Sequence, residues 1–243
     1  MYFGGSSMST YSRFTSLLLF CSSLFYISLA GCGDNPVSPT IAPKIGSSYT
    51  VAGYNTDASG AVVESTRDTI DYTLTEIHTN FRGESNVYEY SSKYGSSFIA
   101  FHDDGDISLL FITSAGSSID SVWLKLPTTT KKSVSTILYE DVQVVGSARV
   151  ENRMTYTAEH DGSTSITVNG KSLGVEKIKG GIENKISYVI AGQPASDQVV
   201  NTNIVLWFAP GIGYLAHQES SITQGGASVG PGSFGELIVY ELK

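Results

Sequence analysis

Gly170-Lys171-Ser172 has the ending of a phosphate-cradling loop, in which backbone N–H groups and a lysine hold nucleotide phosphates. That pattern needs a glycine five positions before Gly170, and Ser165 stands there. Asn169-Gly170 is instead a hairpin signal, because both residues tolerate the positive φ of the primed turns. Pro231-Gly232-Ser233-Phe234-Gly235 approaches the nucleophile elbow of serine hydrolases, but Pro231 replaces its first glycine. His78, His102, His160 and His217 have no metal-ligand spacing, and each reads as a solvated or hydrogen-bonded strand-end residue. His217-Gln218-Glu219 lacks the cysteine pair of a zinc deaminase. Asp103, Asp104 and Asp106 offer oxygens suited to Ca²⁺, yet Ser114 occupies the place of the closing glutamate, so a solvated turn is the reading. Lys131-Lys132 is too small for a nucleic-acid footprint. No catalytic residue, metal site or cofactor is assigned, and the chain is read as non-enzymatic, with a hydrolase of scattered active site as the less favoured alternative.

The strongest chemical signal lies near the amino end. The first 31 residues carry no acidic group, Arg13 is their one charge, and an apolar run extends from Phe14 to Ala30. A basic start, an apolar core and small residues before a cut site define a secretory leader. Ser22, Ser23 and Ser28 interrupt the run, which is short for a membrane span of about 20 apolar residues. Leu29-Ala30-Gly31-Cys32 resembles the bacterial lipobox. The resemblance implies that the leader, residues 1–31, is cut before Cys32, and that Cys32 carries acyl chains, palmitate among them. Met8 is an alternative start, since Met8 to Gly31 is already a sufficient leader. Two or three chains anchor firmly where one alone is marginal. Cys21 lies in the discarded run, so no internal disulfide forms in the mature chain. Residues 32–45 contain Pro36, Pro39 and Pro43 and read as an extended tether. Gly33 rather than Asp stands after the cysteine, which favours the outer membrane by the enterobacterial sorting rule, with the side of the membrane left open.

Beyond the tether the chain must be held by a core alone. After Gly31 there are 14 basic and 23 acidic residues, an acidic balance that argues against a nucleic-acid partner and adds no attraction to anionic lipid. The 25 glycines and 35 serines, with many Val, Ile and Tyr, favour strands over helices. Ile70, Tyr72 and Leu74 alternate with Asp71, Thr73 and Thr75 at the period of a half-buried strand. Asp57-Ala58-Ser59-Gly60, Asp103 to Asp106, His160-Asp161-Gly162 and Asn169-Gly170 read as turns. Gly225 to Gly235 reads as one flexible loop. Residues 46–243 are therefore expected to form one all-β domain. It is a single antiparallel meander of about a dozen strands, curved or closed into an open or partial barrel, with a β-sandwich as the alternative.

Near the carboxyl end stands Trp207-Phe208-Ala209-Pro210-Gly211-Ile212-Gly213, with a strand and Glu236-Leu237-Ile238-Val239-Tyr240 after it. This ending resembles uncharacterised periplasmic proteins and lipoproteins of the TapB-like, domain-of-unknown-function group. The resemblance implies a structural role, in which Pro210 and Gly211 suit a tight turn, Gly213 permits close backbone approach and Trp207 packs beneath; the continuous apolar run Ile204 to Phe208 reads as a strand covered on both faces. The expected function is a membrane-anchored envelope lipoprotein that binds an apolar or amphipathic ligand or a partner protein on a curved sheet. A purely structural envelope component is the alternative. A roomy apolar cavity favours the first and a filled core the second.

Overall fold

A computed structural model describes residues 43–115, 118–128, 132–190 and 193–243. The leader, Cys32 with its lipobox, and nearly all of the tether lie outside the described residues, as does Lys131. Twelve strands run in order: β1 Ser48–Thr56, β2 Val62–Phe81, β3 Glu84–Ser92, β4 Gly95–Phe101, β5 Ile107–Ala115, β6 Ser118–Leu126, β7 Ser133–Val145, β8 Ala148–Val168, β9 Lys171–Ile190, β10 Ser196–Ala209, β11 Tyr214–Gln224 and β12 Ala227–Glu241.

Apart from β6 and β7, each strand pairs antiparallel with its neighbours in sequence, and β1 pairs with β12, so the first and last strands meet inside one sheet. The order β6-β5-β4-β3-β2-β1-β12-β11-β10-β9-β8-β7 curls into a nearly closed barrel. One seam, between β6 and β7, has no hydrogen-bonded ladder. There Tyr156 Oη on β8 reaches across and donates to the Lys125 carbonyl oxygen on β6 at 3.3 Å.

The alternation in sequence becomes inside and outside. Ile70, Tyr72 and Leu74 are buried in the barrel, whereas Asp71, Thr73 and Thr75 are exposed. The outward face carries ion pairs such as Lys185–Asp197 at 2.7 Å and Asp161 with Lys177 and Lys179 at 3.2 and 2.9 Å. An apolar interior behind a charged exterior is the reverse of a membrane-spanning barrel, whose apolar band faces lipid. Among the described residues no helix is long and apolar enough to cross a membrane.

Three stretches differ from the sequence expectation. His160-Asp161-Gly162 is no hairpin: β8 runs through it, and Asp161 is absorbed as a register shift against β9 while Gly162 pairs with Lys177. Local turn chemistry here yields to the long ladder with β9, which continues to Val168. Ser172 to Lys179 and Ile186 to Ala191 read as two strands, but β9 continues between them through Gly180-Gly181. A Cβ on Gly180 would lie 2.4 Å from the Thr157 carbonyl oxygen, and one on Gly181 2.8 Å from that of Thr202. These glycines let three backbones approach closely where the sheet bends. The stretch Gly225 to Gly235 is a tight turn at Gly225-Gly226 and then strand β12, not a flexible loop. Its paired partners, β11 and β1, supply the order that composition alone did not suggest.

Candidate functional site: an apolar lumen plugged at one end

In a meander, alternate turns lie at opposite ends of the barrel. One end holds Pro43, the β10–β11 turn and the carboxyl terminus, where the Lys243 backbone N–H donates to Ser47 Oγ at 3.1 Å. Here the Trp207–Gly213 segment folds. Ile212 and Gly213 both donate backbone N–H groups to the Ala209 carbonyl oxygen, at 3.1 and 3.0 Å. Pro210 stands exposed at the turn, Gly211 is half-buried, and Ile212 is driven wholly into the interior. Gly213 has φ +66°, and a Cβ there would lie 2.7 Å from Pro43 Cγ. Both facts favour glycine.

Four tyrosines seal this end. Tyr49 stacks on Tyr214 with centroids 4.5 Å apart, Tyr90 meets both edge-on, and Tyr72 leans on Tyr214. Tyr49 Oη donates to the Ile212 carbonyl oxygen and Tyr90 Oη to that of Gly213, each at 2.8 Å. Burial pushes the Tyr49 and Tyr90 hydroxyls well above the ordinary phenol range, so both stay protonated donors. The plug is thus bolted to the Gly-Ile-Gly turn by hydrogen bonds that the folded backbone would otherwise leave unmade.

Trp207 takes a different position from the one expected. Its neighbours Leu206 and Phe208 are buried inward, but Trp207 alternates outward and is half-buried. It pairs in register with His217 and stacks on that imidazole at 4.3 Å, and Phe234 meets the imidazole edge-on at 4.6 Å. A continuous apolar run in an antiparallel wall is covered fully on one face only. The indole Nε1 is shielded and has no hydrogen-bond partner among the described residues. His217 Nε2 lies 2.8 Å from Glu219 Oε1, and that hydrogen bond holds the Glu219 carboxyl below its ordinary range.

Above the plug the interior is not filled. A cavity of about 640 Å³ lies between the two halves of the wall. Val51, Ile99, Leu124, Ile182, Leu206 and Leu237 line it, drawn from β1, β4, β6, β9, β10 and β12. It reaches the β3–β4 turn at Ser92, Tyr94 and Ser96, at the opposite end from Pro43. This volume falls in the range of ligand sites, and its wall is mostly apolar with a few hydroxyls at the rim. No single residue announces it: most of the lining side chains are ordinary inward strand residues.

The other candidates resolve into structural roles. Gly170-Lys171-Ser172 sits at the β8–β9 hairpin, with Asn169 and Gly170 both at positive φ. Ser233 lies within β12, buried, and shares a 2.7 Å hydrogen bond with Ser220 Oγ. Asp104 and Asp106 are tied to lysines, not arranged around an open cation position. Lys125 and Lys132 Nζ both lie 3.4 Å from Asp106 Oδ2, and Lys132 Nζ is 3.1 Å from Asp104. The Lys132 hydrogen bond chiefly lowers the Asp104 pKa to about 2. Asp106 Oδ1 also accepts the Thr128 backbone N–H at 3.2 Å, and the Lys132 carbonyl accepts the His160 N–H. The turn therefore latches one end of the β6/β7 seam.

His78, far from other histidines in sequence, meets Glu89 Oε2 at 2.9 Å through Nε2 and Glu76 Oε1 at 3.5 Å through Nδ1. Cross-strand register, invisible to linear spacing, makes this grouping. Its two imidazole nitrogens face different carboxylates, so it reads as a hydrogen-bonded bridge. His102 bonds Ser108, and His160 bonds Glu176.

No family model matches the chain, and no curated protein matches it. Among solved structures it aligns with the hypothetical lipoprotein YmcC from Escherichia coli K12 over 96% of this chain and 98% of that one, at 10% identity and a TM-score of 0.28. At that score the alignment carries no argument, and the reading of this chain rests on its own sequence and geometry.

Proposed function

We propose that this chain is a bacterial envelope lipoprotein that holds an apolar or amphipathic ligand in its barrel without transforming it. The observation that carries the ligand-binding reading is the apolar cavity of about 640 Å³ above the tyrosine plug. A scaffold needs no such void, because an empty apolar space forfeits packing contacts and destabilises the fold. The anchor reading rests on the leader and on Leu29-Ala30-Gly31-Cys32. A chain anchored at Cys32 reaches Pro43 over at most about 40 Å of extended backbone. It enters at the plugged end, opposite the mouth, and a tether of that length lets the mouth stand clear of the membrane that holds it. The outer membrane is the favoured site, from Gly33.

A partner protein is the second reading, favoured by one observation. The β7–β8–β9 ribbon projects apolar side chains at the mouth end, with Val144 71% and Val145 68% exposed beside Val189 and Ile190.

Two measurements test the proposal. Labelled palmitate should incorporate into the chain and not into Cys32→Ser, and incorporation into the variant would remove the anchor. Organic extraction of the chain purified from its own host should yield a stoichiometric lipid-like compound. A barrel that extracts clean while co-purifying one envelope protein would favour the partner reading.

A further inference from the structure

We infer that the lumen selects an uncharged amphiphile, an acyl or alkyl chain with a hydroxyl-bearing head, over a fatty acid or phospholipid. This rests on the ligand-binding reading and adds the chemical class. The cavity has no lysine or arginine in its wall. Glu236 and His217 touch it, but they form a rung with Ala52 and Trp207 that alternates with the inward Val51, Leu206 and Leu237. The His217 imidazole is held by Glu219 through Nε2.

The wall that rises beyond the cavity obeys the same rule. Tyr156 and Ile182 pair across β8 and β9 and face the lumen. Continuing outward on that face are Met154 opposite Asn184, Asn152 opposite Ile186, and Val150 opposite Tyr188. Gln198 of β10 lies opposite Ile186. Arg149, Arg153, Lys179 and Lys185 all fall on the opposite face. The inner ramp is therefore apolar with amides and has no cation.

Asn152 Oδ1 and Asn184 Oδ1, on the wall beyond the cavity, are shielded from solvent and have no hydrogen-bond partner among the described residues. Orphaned acceptors of this kind favour a group that donates hydrogen bonds, and a carboxylate or phosphate, which only accepts, leaves them unpaired. A buried anion with no cation beside it keeps most of its desolvation cost, which amide N–H groups alone offset only in part. At the rim Ser92 Oγ donates to the Gly95 carbonyl oxygen and Ser96 Oγ to Glu89, while Ser97, paired with the inward Tyr90, brings a hydroxyl to the mouth that suits a neutral head.

The test holds the chain length constant and changes the head. The full acylated chain, stripped of bound lipid and kept in a non-ionic detergent, is incubated with equal amounts of monodecanoylglycerol, decanoate and decyl phosphate. Native mass spectrometry then reads the adducts. Monodecanoylglycerol should exceed either anion by about tenfold or more, as an unpaired buried charge demands. In Ser97→Arg, a half-exposed rim position that tolerates a long side chain, decyl phosphate should gain about tenfold and the glycerol ester should change little. Asn184→Leu should weaken the glycerol ester. Equal adducts for all three heads, or preference for an anion in the unaltered chain, overturn the selectivity while leaving ligand binding intact. No adduct with any head overturns the ligand-binding reading itself.

Discussion

Removing the Asp106 carboxylate should loosen the seam. Asp106 is 1% exposed, and its two oxygens tie the β4–β5 turn to Thr128 and to Lys125 and Lys132. A hydrogen bond to a charged group contributes about 1.5–3 kcal/mol, and a buried donor left without an acceptor costs about 1–3 kcal/mol. The Thr128 N–H would be such a donor, since Thr128 is itself buried. The lysine side chains are 42% and 45% exposed, so solvent screening reduces their share to about 1 kcal/mol or less. Asp106→Ala should therefore cost about 3 kcal/mol, or about 6–12 °C in melting temperature for a domain of this size. Asp106→Asn keeps an acceptor for Thr128 and should cost about 1 kcal/mol. Urea unfolding at low and high salt measures both, and only the lysine share should shrink with salt. If Asp106→Ala unfolds within about 0.5 kcal/mol of the parent, the size of a neutral surface change, the latch is not what holds the seam. If Asn is as costly as Ala, the argument from the Thr128 bond fails.

Gly213→Ala should cost about 1–3 kcal/mol, because it combines φ +66° with a Cβ pressed on Pro43; a melting temperature equal to the parent's would refute the close approach. Phe208→Ala, inside the barrel, should cost about 3–5 kcal/mol, and Trp207→Ala, on the outer face, about half of that. Trp207→Phe should be nearly neutral in thermal melts, since it removes an indole N–H that has no partner. Asp104 has a folded pKa of about 2 against an ordinary 3.8. Its stabilising contribution is therefore complete above pH 3.8 and is lost as the pH falls toward 2. In Asp104→Asn that part of the acid-unfolding profile should flatten, and an unchanged profile would contradict the assignment.

Much of the wall was legible in the residues. Ile70, Tyr72 and Leu74 declare their strand because burial on one face alone imposes a period of two. Asn169-Gly170 declares its hairpin because few other residues adopt those dihedrals. The lumen was not legible. The inward alternation of Val51, Leu206 and Leu237 is the same in a filled sandwich and in an open barrel. The difference lies in the β1–β12 pairing, which joins residues nearly the whole chain apart. Trp207 misled for a related reason: Ile204 to Phe208 is apolar on both faces, and only the neighbouring strands determine which face is fully covered. His160-Asp161-Gly162 has the composition of a turn, and becomes part of a long strand because β9 offers a ladder past it.

The central claim is that the lumen is open to an apolar guest. Titration of the barrel, residues 43–243, with the neutral dye N-phenylnaphthylamine tests it most directly. Fluorescence should rise to saturation at one dye per chain. Ile204→Trp, which fills the cavity from a half-buried lining position, should abolish the rise while keeping a cooperative melt. A parent barrel with no saturable enhancement, or a Trp-filled variant that binds the dye as well as the parent, would contradict the account.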